Sequence, residues 1–216
     1  MGVKGLWKIL EPVGETCPLS ELAGRLVAVD LSGWVVEAET SVALSKNVNQ
    51  PYLRNLVYRT SALLLQHTLP VFVLDGEAPA LKLDELERRQ GGQRAGTGRP
   101  QLHARLRRCA RLLDTLGVPH LTAEGEAEAL CARLDAAQRV DGVVTDDGDA
   151  ALHGARTLYC QLSASRTGGE LTRYNLERVR AELGLDVRRL RHLALLLGCD
   201  YLPGGLPGVG AQTAQQ

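Results

Sequence analysis

The sequence lacks any pair of cysteines spaced as C-x-x-C, and its five cysteines are scattered along the chain. An odd, scattered set argues against a disulfide framework and a cysteine zinc site, and it is typical of reduced intracellular thiols. The chain has no apolar run of transmembrane length, and its N-terminus has no signal-peptide core. Met1-Gly2 begins like a myristoylation motif, but Leu6 occupies the position that requires Ser or Thr. We therefore expect a soluble intracellular protein.

Net charge is also lacking, because 25 basic residues balance 25 acidic ones. Overall charge therefore indicates no class of partner. The two signs are unevenly placed: acidic residues gather where predicted strands end, and basic residues gather near 88–111. At 216 residues the chain is long enough to bury the core of one large domain.

Apolar segments that alternate with helical ones predict the fold class. Residues 25–32 and 69–76 read as buried strands, and 143–144 read as the end of a third. The apolar spacing predicts helices between and after them, over about 51–66, 80–90, 101–116, 125–137, 175–183 and 187–197, with a hairpin over 157–174. Strands alternating with helices predict an α/β fold that has a mainly parallel central sheet and helices on both faces.

Aspartates follow the predicted strands. Asp30 ends the first strand, Asp75 ends the second, and Asp147 and Asp149 lie in the turn after the third. Because the carboxyl ends of parallel strands lie at one edge of a sheet, we expect these side chains to meet there. Crowded carboxylates repel one another unless a cation lies among them.

Three further carboxylates, Glu126, Glu128 and Asp200, lie at predicted helix ends and are placed to converge on the same edge. An oxygen-only set without a His/Cys cluster indicates Mg²⁺ or Mn²⁺, and two such ions ~4 Å apart can hydrolyse a phosphodiester. Glu126 and Glu128 are two residues apart, so on a regular helix they would point to nearly opposite sides. The alternatives are that each aspartate is only a cap or turn residue, or that the chain is a metal-dependent phosphatase.

Six motifs in order along the chain resemble those of the flap endonuclease/XPG family of structure-specific 5′ nucleases. They are MGVKGLW, VAVDLS, VFVLDG, GEAEA, VVTDDGD and LLLGCDY, the last followed by PGVG. The stretches at 11–13, 29–40 and 51–56 look most like the Holliday-junction resolvase (GEN) branch. The resemblance implies a PIN-like α/β nuclease domain that ends in an incomplete helix–two-turn–helix element.

The resemblance also implies roles for particular residues. Two Mg²⁺ ions, or two Mn²⁺ ions in their place, would be held by Asp30, Asp75, Glu126, Glu128, Asp147, Asp149 and Asp200. Gly2 would lie near the active site, and Lys82 and Arg89 would grip the scissile phosphate and stabilise charge in the transition state. Gly208 and Gly210 would present backbone groups to a duplex phosphate and to a K⁺ ion.

Three arginines, Arg88, Arg105 and Arg108, are further candidates for DNA contact. The alternative is that the arginines of the helix at 101–116 are only its solvated face. Leu6 and Trp7 are expected to pack into the core, the alternative being a wedge between DNA arms. Asp146 precedes the matched pair of aspartates and is not expected to be a ligand.

Two departures from the family pattern shape the predicted domains. We expect a nuclease region over 1–90, a glycine-rich linker over 91–100 in place of an arch, an internal nuclease region over 101–201, and a truncated DNA-binding element over 202–216. The short linker argues against the threading of a free flap. Ala211 and Gln212 stand where relatives carry a lysine, so the grip on duplex is expected to be weak.

The predicted function is therefore Mg²⁺-dependent cleavage of branched double-stranded DNA, such as Holliday junctions and 5′ flaps, in repair and recombination. A nuclear location, a dimer on a four-way junction and no membrane partner complete the expectation. Two alternatives remain open: a 5′ flap nuclease without junction resolution, and a catalytically weak DNA-binding relative.

Overall fold

A seven-stranded sheet forms the centre of the computed structural model, which describes residues 2–41, 48–77, 98–165, 168–202, 204–210 and 213. The strands in chain order are β1 (Glu15–Pro18), β2 (Leu26–Asp30), β3 (Leu69–Leu74), β4 (His120–Thr122), β5 (Val143–Val144), β6 (Thr157–Ser165) and β7 (Gly168–Asn175). Across the sheet their order is β1-β7-β6-β5-β2-β3-β4.

The sheet is mainly parallel, as the sequence predicts. Strand β2 lies in its middle and pairs in parallel with β3 and β5, and the outer pairs β3–β4 and β5–β6 are parallel too. The predicted hairpin is present as the antiparallel pair β6–β7, to which β1 adds antiparallel. Strand β1 was not predicted, because the four residues of this edge strand have no alternation long enough to read.

Eight α-helices are present in the described part of the chain. They are α1 (Leu6–Leu10), α2 (Leu31–Thr40), α3 (Pro51–Leu65), α4 (Gly98–Leu116), α5 (Ala127–Ala136), α6 (Asp149–Leu152), α7 (Leu176–Leu183) and α8 (Val187–Leu197), with 3₁₀ turns at Glu11–Val13 and Leu19–Leu22. None of the described helices is both long and apolar enough to cross a membrane.

Helix α4 begins at Gly98, three residues inside the stretch predicted as linker. Pro100 is accommodated there because the first turn of a helix needs no N–H donor from it. Helix α2 was not predicted either, since Gly33 and two adjacent valines lower its helix propensity. The predicted helix at 80–90 lies outside the described residues.

Two apolar clusters cover the two faces of the sheet. Along β2, Ala28 packs into one cluster, while its neighbours Val27 and Val29 pack into the other. Helices α1, α5, α7 and α8 supply the first cluster, and α2, α3 and α4 supply the second. Helices therefore lie on both faces, and Asp30 and Thr145, at the ends of β2 and β5 between these layers, are buried.

Candidate metal centre

The candidate site is the edge of the sheet where the parallel strands end. We call its seven predicted carboxylates the acidic edge, and they are Asp30, Asp75, Glu126, Glu128, Asp147, Asp149 and Asp200. All but Asp75 and Asp147 are buried.

Asp30 is the last residue of β2 and the N-cap of α2, so its position is fixed by both elements. Its Oδ1 accepts the N–H of Ser32 at 3.1 Å, and its Oδ2 accepts the hydroxyl of Thr145 at 3.0 Å. Burial raises the pKa of Asp30 to about 7, and the charge of Asp75 adds to the rise. Asp30 therefore resists ionisation when no cation lies beside it.

The turn after β5 is built from side-chain hydrogen bonds to its own backbone. The hydroxyl of Thr145 accepts the N–H of Asp147, and Asp147 Oδ1 accepts the N–H of Asp149, each at 3.0 Å. Asp146 turns away: its Oδ1 accepts the N–H of Gln161 at 2.6 Å, so its carboxylate anchors the turn to β6.

Gly2 lies against the same turn. A Cβ on Gly2 would be 2.3 Å from Asp147 Oδ1 and 2.9 Å from Asp149 Oδ1, and its φ is +86°. No side chain fits there without displacing the two aspartates. The N–H of Lys4 donates to Gly198 O at 3.3 Å, which holds this N-terminal segment against the end of α8.

The two glutamates are placed by the start of α5. Glu126 is the N-cap with φ −82° and ψ 140°, so it is outside the regular helix, and Glu128 lies in the first turn. Their spacing of two therefore does not force them to opposite sides, which resolves the conflict that the sequence raised. Asp75 joins them, because its Oδ1 accepts the N–H of Ala127 at 2.8 Å.

Glu128 has a larger pKa shift than Asp30. Burial first, and then the charges of Asp30, Glu126 and Asp75, together raise its pKa to about 9. Carboxylates from β2, β3 and α5 thus act on one another in an apolar setting. A bound cation would relieve this repulsion.

Asp200 follows α8 in a loop closed by the bridge between Cys199 and Leu202, and only 2% of its surface is exposed. The neighbouring Tyr201 donates its hydroxyl to Glu126 Oε2 at 2.6 Å. This bond ties the Asp200 loop to the start of α5.

The donor set fits hard divalent cations, because it consists of carboxylate oxygens in a buried setting and includes no sulfur or imidazole. No three of the described His, Cys, Asp or Glu side chains already converge as ligands of one ion.

The residues predicted to contact DNA are less uniformly placed. Gly208 and Gly210 are exposed, and Gly208 has φ +82°. Arg105 forms an ion pair with Glu39. The pair joins α4 to α2 and partly neutralises the charge of Arg105. Arg108 is exposed, and its Nη1 donates to the hydroxyl of Tyr52 at 3.3 Å. Lys82, Arg88 and Arg89 lie outside the described residues.

Thr145 and Tyr201 are contacts that sequence reasoning missed. Both lie inside recognised motifs. The hydroxyl of Thr145 reaches Asp30, 115 residues away in the chain, and that of Tyr201 reaches Glu126, 75 residues away. No local spacing reveals such pairs. Leu6 is buried as expected, and the partly buried Trp7 donates its Nε1–H to Asp146 O at 3.2 Å.

Comparison with known proteins gives two adjacent family matches. Residues 1–95 match the XPG N-terminal domain, and residues 117–200 match the XPG I-region. The chain is 44% identical over 222 residues to Flap endonuclease GEN homolog 1 of Homo sapiens, and 45% identical to that of Mus musculus. These matches cover 99% of the chain but 24% of each relative, so the chain spans about a quarter of their length.

Solved structures show the same likeness. Human GEN1 in complex with Holliday junction DNA matches with a TM-score of 0.87 and 43% identity over 99% of this chain and 54% of that one. The catalytic core of Rad2 in complex with DNA substrate matches with a TM-score of 0.85 and 32% identity, covering 99% and 67%. GEN1 in complex with product DNA and Mg²⁺ matches with a TM-score of 0.73 and 28% identity, covering 99% and 50%.

Proposed function

The chain belongs to the flap endonuclease/XPG family, and on that premise we propose that it is a Mg²⁺-dependent endonuclease acting on branched DNA. The observation that carries the proposal is the acidic edge, where burial and mutual repulsion raise the pKa values of Asp30 to about 7 and of Glu128 to about 9. Such an arrangement is costly in a protein that binds no cation there.

The seven carboxylates of the acidic edge are proposed to hold two Mg²⁺ ions, or Mn²⁺ in their place. When bound, the ions would supply a nucleophilic water and stabilise the leaving oxygen of the phosphodiester. The carboxylates orient the site, and Gly2 keeps space open beside Asp147 and Asp149. A relative, GEN1, is described in complex with product DNA and Mg²⁺, which supports a metal-dependent nuclease.

Lys82 and Arg89 are proposed to neutralise the non-bridging oxygens of the scissile phosphate. Loss of either cation removes charge stabilisation that is realised mainly in the transition state. We expect Lys82→Ala or Arg89→Ala to lower the single-turnover rate by about 10²-fold while binding changes much less. A collapse of binding with an unchanged rate at saturation would instead make these residues a docking patch.

Branched DNA is the proposed substrate class because human GEN1 is described with Holliday junction DNA and Rad2 with a DNA substrate. The exposed loop at Gly208 and Gly210 is the proposed contact to a duplex phosphate, with K⁺ as its cation. Arg108 is a stronger candidate for phosphate contact than Arg105, whose charge is already paired with Glu39. A nuclear location and a dimer on a four-way junction belong to the same proposal.

The test is single-turnover cleavage by the purified chain in Mg²⁺ on a four-way junction, a 5′ flap and a plain duplex. We expect cleavage of both branched substrates and little of the duplex. Cleavage of the flap alone would favour a flap nuclease without junction resolution. Binding to branched DNA without cleavage at saturating Mg²⁺ would refute the enzyme and favour a DNA-binding relative.

A further inference from the structure

Thr145 lies at the point where two neighbouring strands end. β2 and β5 pair in parallel, with Val29 opposite Val144. One residue further along each chain are Asp30 and Thr145, which are 4% and 3% exposed. The register of the sheet therefore brings a buried hydroxyl to a buried carboxylate.

The hydroxyl of Thr145 is hydrogen-bonded on both sides. It donates to Asp30 Oδ2 and accepts the N–H of Asp147, each at 3.0 Å. A hydroxyl has one donor proton, so that proton is committed to Asp30. Asp147 Oδ1 in turn accepts the N–H of Asp149. One oxygen atom thus fixes Asp30 relative to the turn that carries the other two aspartates.

A threonine that served only to form the turn would not need the hydrogen bond to Asp30. Threonines in turns commonly accept the N–H two residues ahead, and the bond from Asp147 is of that kind. The donation to Asp30 is different, because it joins the ends of two separate strands and holds the Asp30 carboxylate against the turn that follows β5.

We propose that Thr145 is a positioning residue of the metal centre, whose hydroxyl sets the spacing between Asp30 and the turn carrying Asp147 and Asp149. The inference rests on the proposed function, because it presupposes that these carboxylates bind cations. Partners that orient metal ligands typically change metal affinity by 10–100-fold when they are removed. The expected signature is therefore weaker metal binding with a cleavage rate that recovers at high Mg²⁺.

The experiment compares Thr145→Ala, Thr145→Ser and Thr60→Ala in the whole chain. Mn²⁺ binding is measured by electron paramagnetic resonance of the free ion, and the Mg²⁺ concentration for half-maximal cleavage is measured in parallel. Thr145→Ala should weaken Mn²⁺ binding by about tenfold or more and raise the Mg²⁺ concentration for half-maximal cleavage by a similar factor. Thr145→Ser keeps the hydroxyl and should stay within about twofold. Thr60 is equally buried, and its hydroxyl has no hydrogen-bond partner among the described residues, so its removal should change neither.

The outcomes separate the two proposals. If the wild type binds no Mn²⁺ and cleaves nothing, the metal centre and the role of Thr145 both fall. If the wild type binds but Thr145→Ala binds equally well, only the role of Thr145 falls. Equal losses in Thr145→Ser and Thr145→Ala would also overturn it, since the methyl contact would then matter. Should the alanine variant unfold by circular dichroism, Thr145→Val keeps the volume, lacks the hydroxyl and must show the same loss.

Discussion

The acidic edge and the C-terminal loop, residues 201–210, are supported by the fold in different ways. Five of the seven carboxylates of the acidic edge are buried, and strands and helix ends from across the chain place them. Beyond Asp200 the loop is mostly exposed, with Tyr201, Leu202 and Leu206 all more than 40% accessible. Its backbone is joined to α8 by the N–H of Leu206, which donates to Leu196 O at 2.8 Å.

The difference implies that the two regions respond differently to substitution. A site within the core is held by the same packing that holds the sheet, so its geometry survives changes elsewhere. A loop anchored by a few backbone bonds leaves its groups accessible and can change without disturbing the core. Substitutions in the two regions should therefore affect different measurements.

The largest expected effect is the loss of a carboxylate from the acidic edge. Asp30→Asn and Asp149→Asn should each lower the cleavage rate by more than about 10²-fold. Removing a residue that only orients a metal ligand already lowers metal affinity or activity by about 10–100-fold. Asparagine caps a helix as well as aspartate does, so Asp30→Asn keeps the N-terminus of α2. Its melting temperature without metal should equal or exceed that of the wild type, since repulsion is removed.

The matched control is Asp146→Asn in the same turn. The Asp146 carboxylate accepts the N–H of Gln161, and an asparagine oxygen can accept it too. Cleavage by this variant should stay within about threefold of wild type, because surface changes of this kind cost little. Activity of Asp149→Asn within tenfold of wild type in saturating Mg²⁺ would contradict the two-metal proposal.

The next effect is on stability and depends on pH. The folded pKa values of Asp30, about 7, and Glu128, about 9, exceed their values of 3.8 and 4.5 in the absence of the fold. The folded state therefore holds these protons more tightly than the unfolded chain. The stability this contributes is fully present below about pH 4 and is lost as pH rises through 7 and 9.

In a chelator, the melting temperature should fall by at least about 5 °C between pH 5 and pH 8.5. Even one pK unit at each of the two groups costs roughly 1.4 kcal/mol, and each kcal/mol lowers the melting temperature by about 2–4 °C. Differential scanning calorimetry would measure it. The double variant Asp30→Asn/Glu128→Gln should flatten this dependence. An unchanged slope in the double variant would assign the pH effect to other groups.

Much of this fold could be predicted because its strands are short, apolar and bounded by polar turns. The buried strands β2 and β3 were correctly placed, since period and composition are local signals. Strand β1 and helix α2 were missed for lack of such signals. The four residues of β1 are held by pairing with β7, a partner more than 150 residues away.

The site divides in the same way. The carboxylates could be predicted because they follow apolar strands and because each lies in one of the family motifs. The N-cap position of Glu126 could not be predicted from the sequence, because it depends on the residue at which α5 begins. The roles of Thr145 and Tyr201 were not readable either, since each depends on a hydrogen bond made in the folded chain.

A smaller effect is expected in the C-terminal loop. Gly208 has φ +82°, a conformation that costs an L side chain about 1–2 kcal/mol, although space is open around it. Gly208→Ala should weaken binding to a four-way junction by about tenfold, measured by fluorescence anisotropy, and leave Mn²⁺ binding unchanged. Gly210 does not have a positive φ and also faces open space, so Gly210→Ala is the matched control. Equal effects of the two alanines would show that backbone conformation at Gly208 is not what the duplex needs.

The smallest effect is expected where the two regions meet, at the bond from Tyr201 to Glu126 Oε2. Tyr201→Phe removes one hydrogen bond, worth about 0.5–1.5 kcal/mol, so Mn²⁺ binding should weaken by roughly threefold to tenfold. Stability should change little, because the ring is 41% exposed. Tyr58→Phe is the matched control, since Tyr58 is similarly exposed and donates to Ala164 O, a backbone carbonyl of β6. If both variants bind Mn²⁺ as the wild type does, the C-terminal loop does not help to orient the acidic edge, and the two regions act independently.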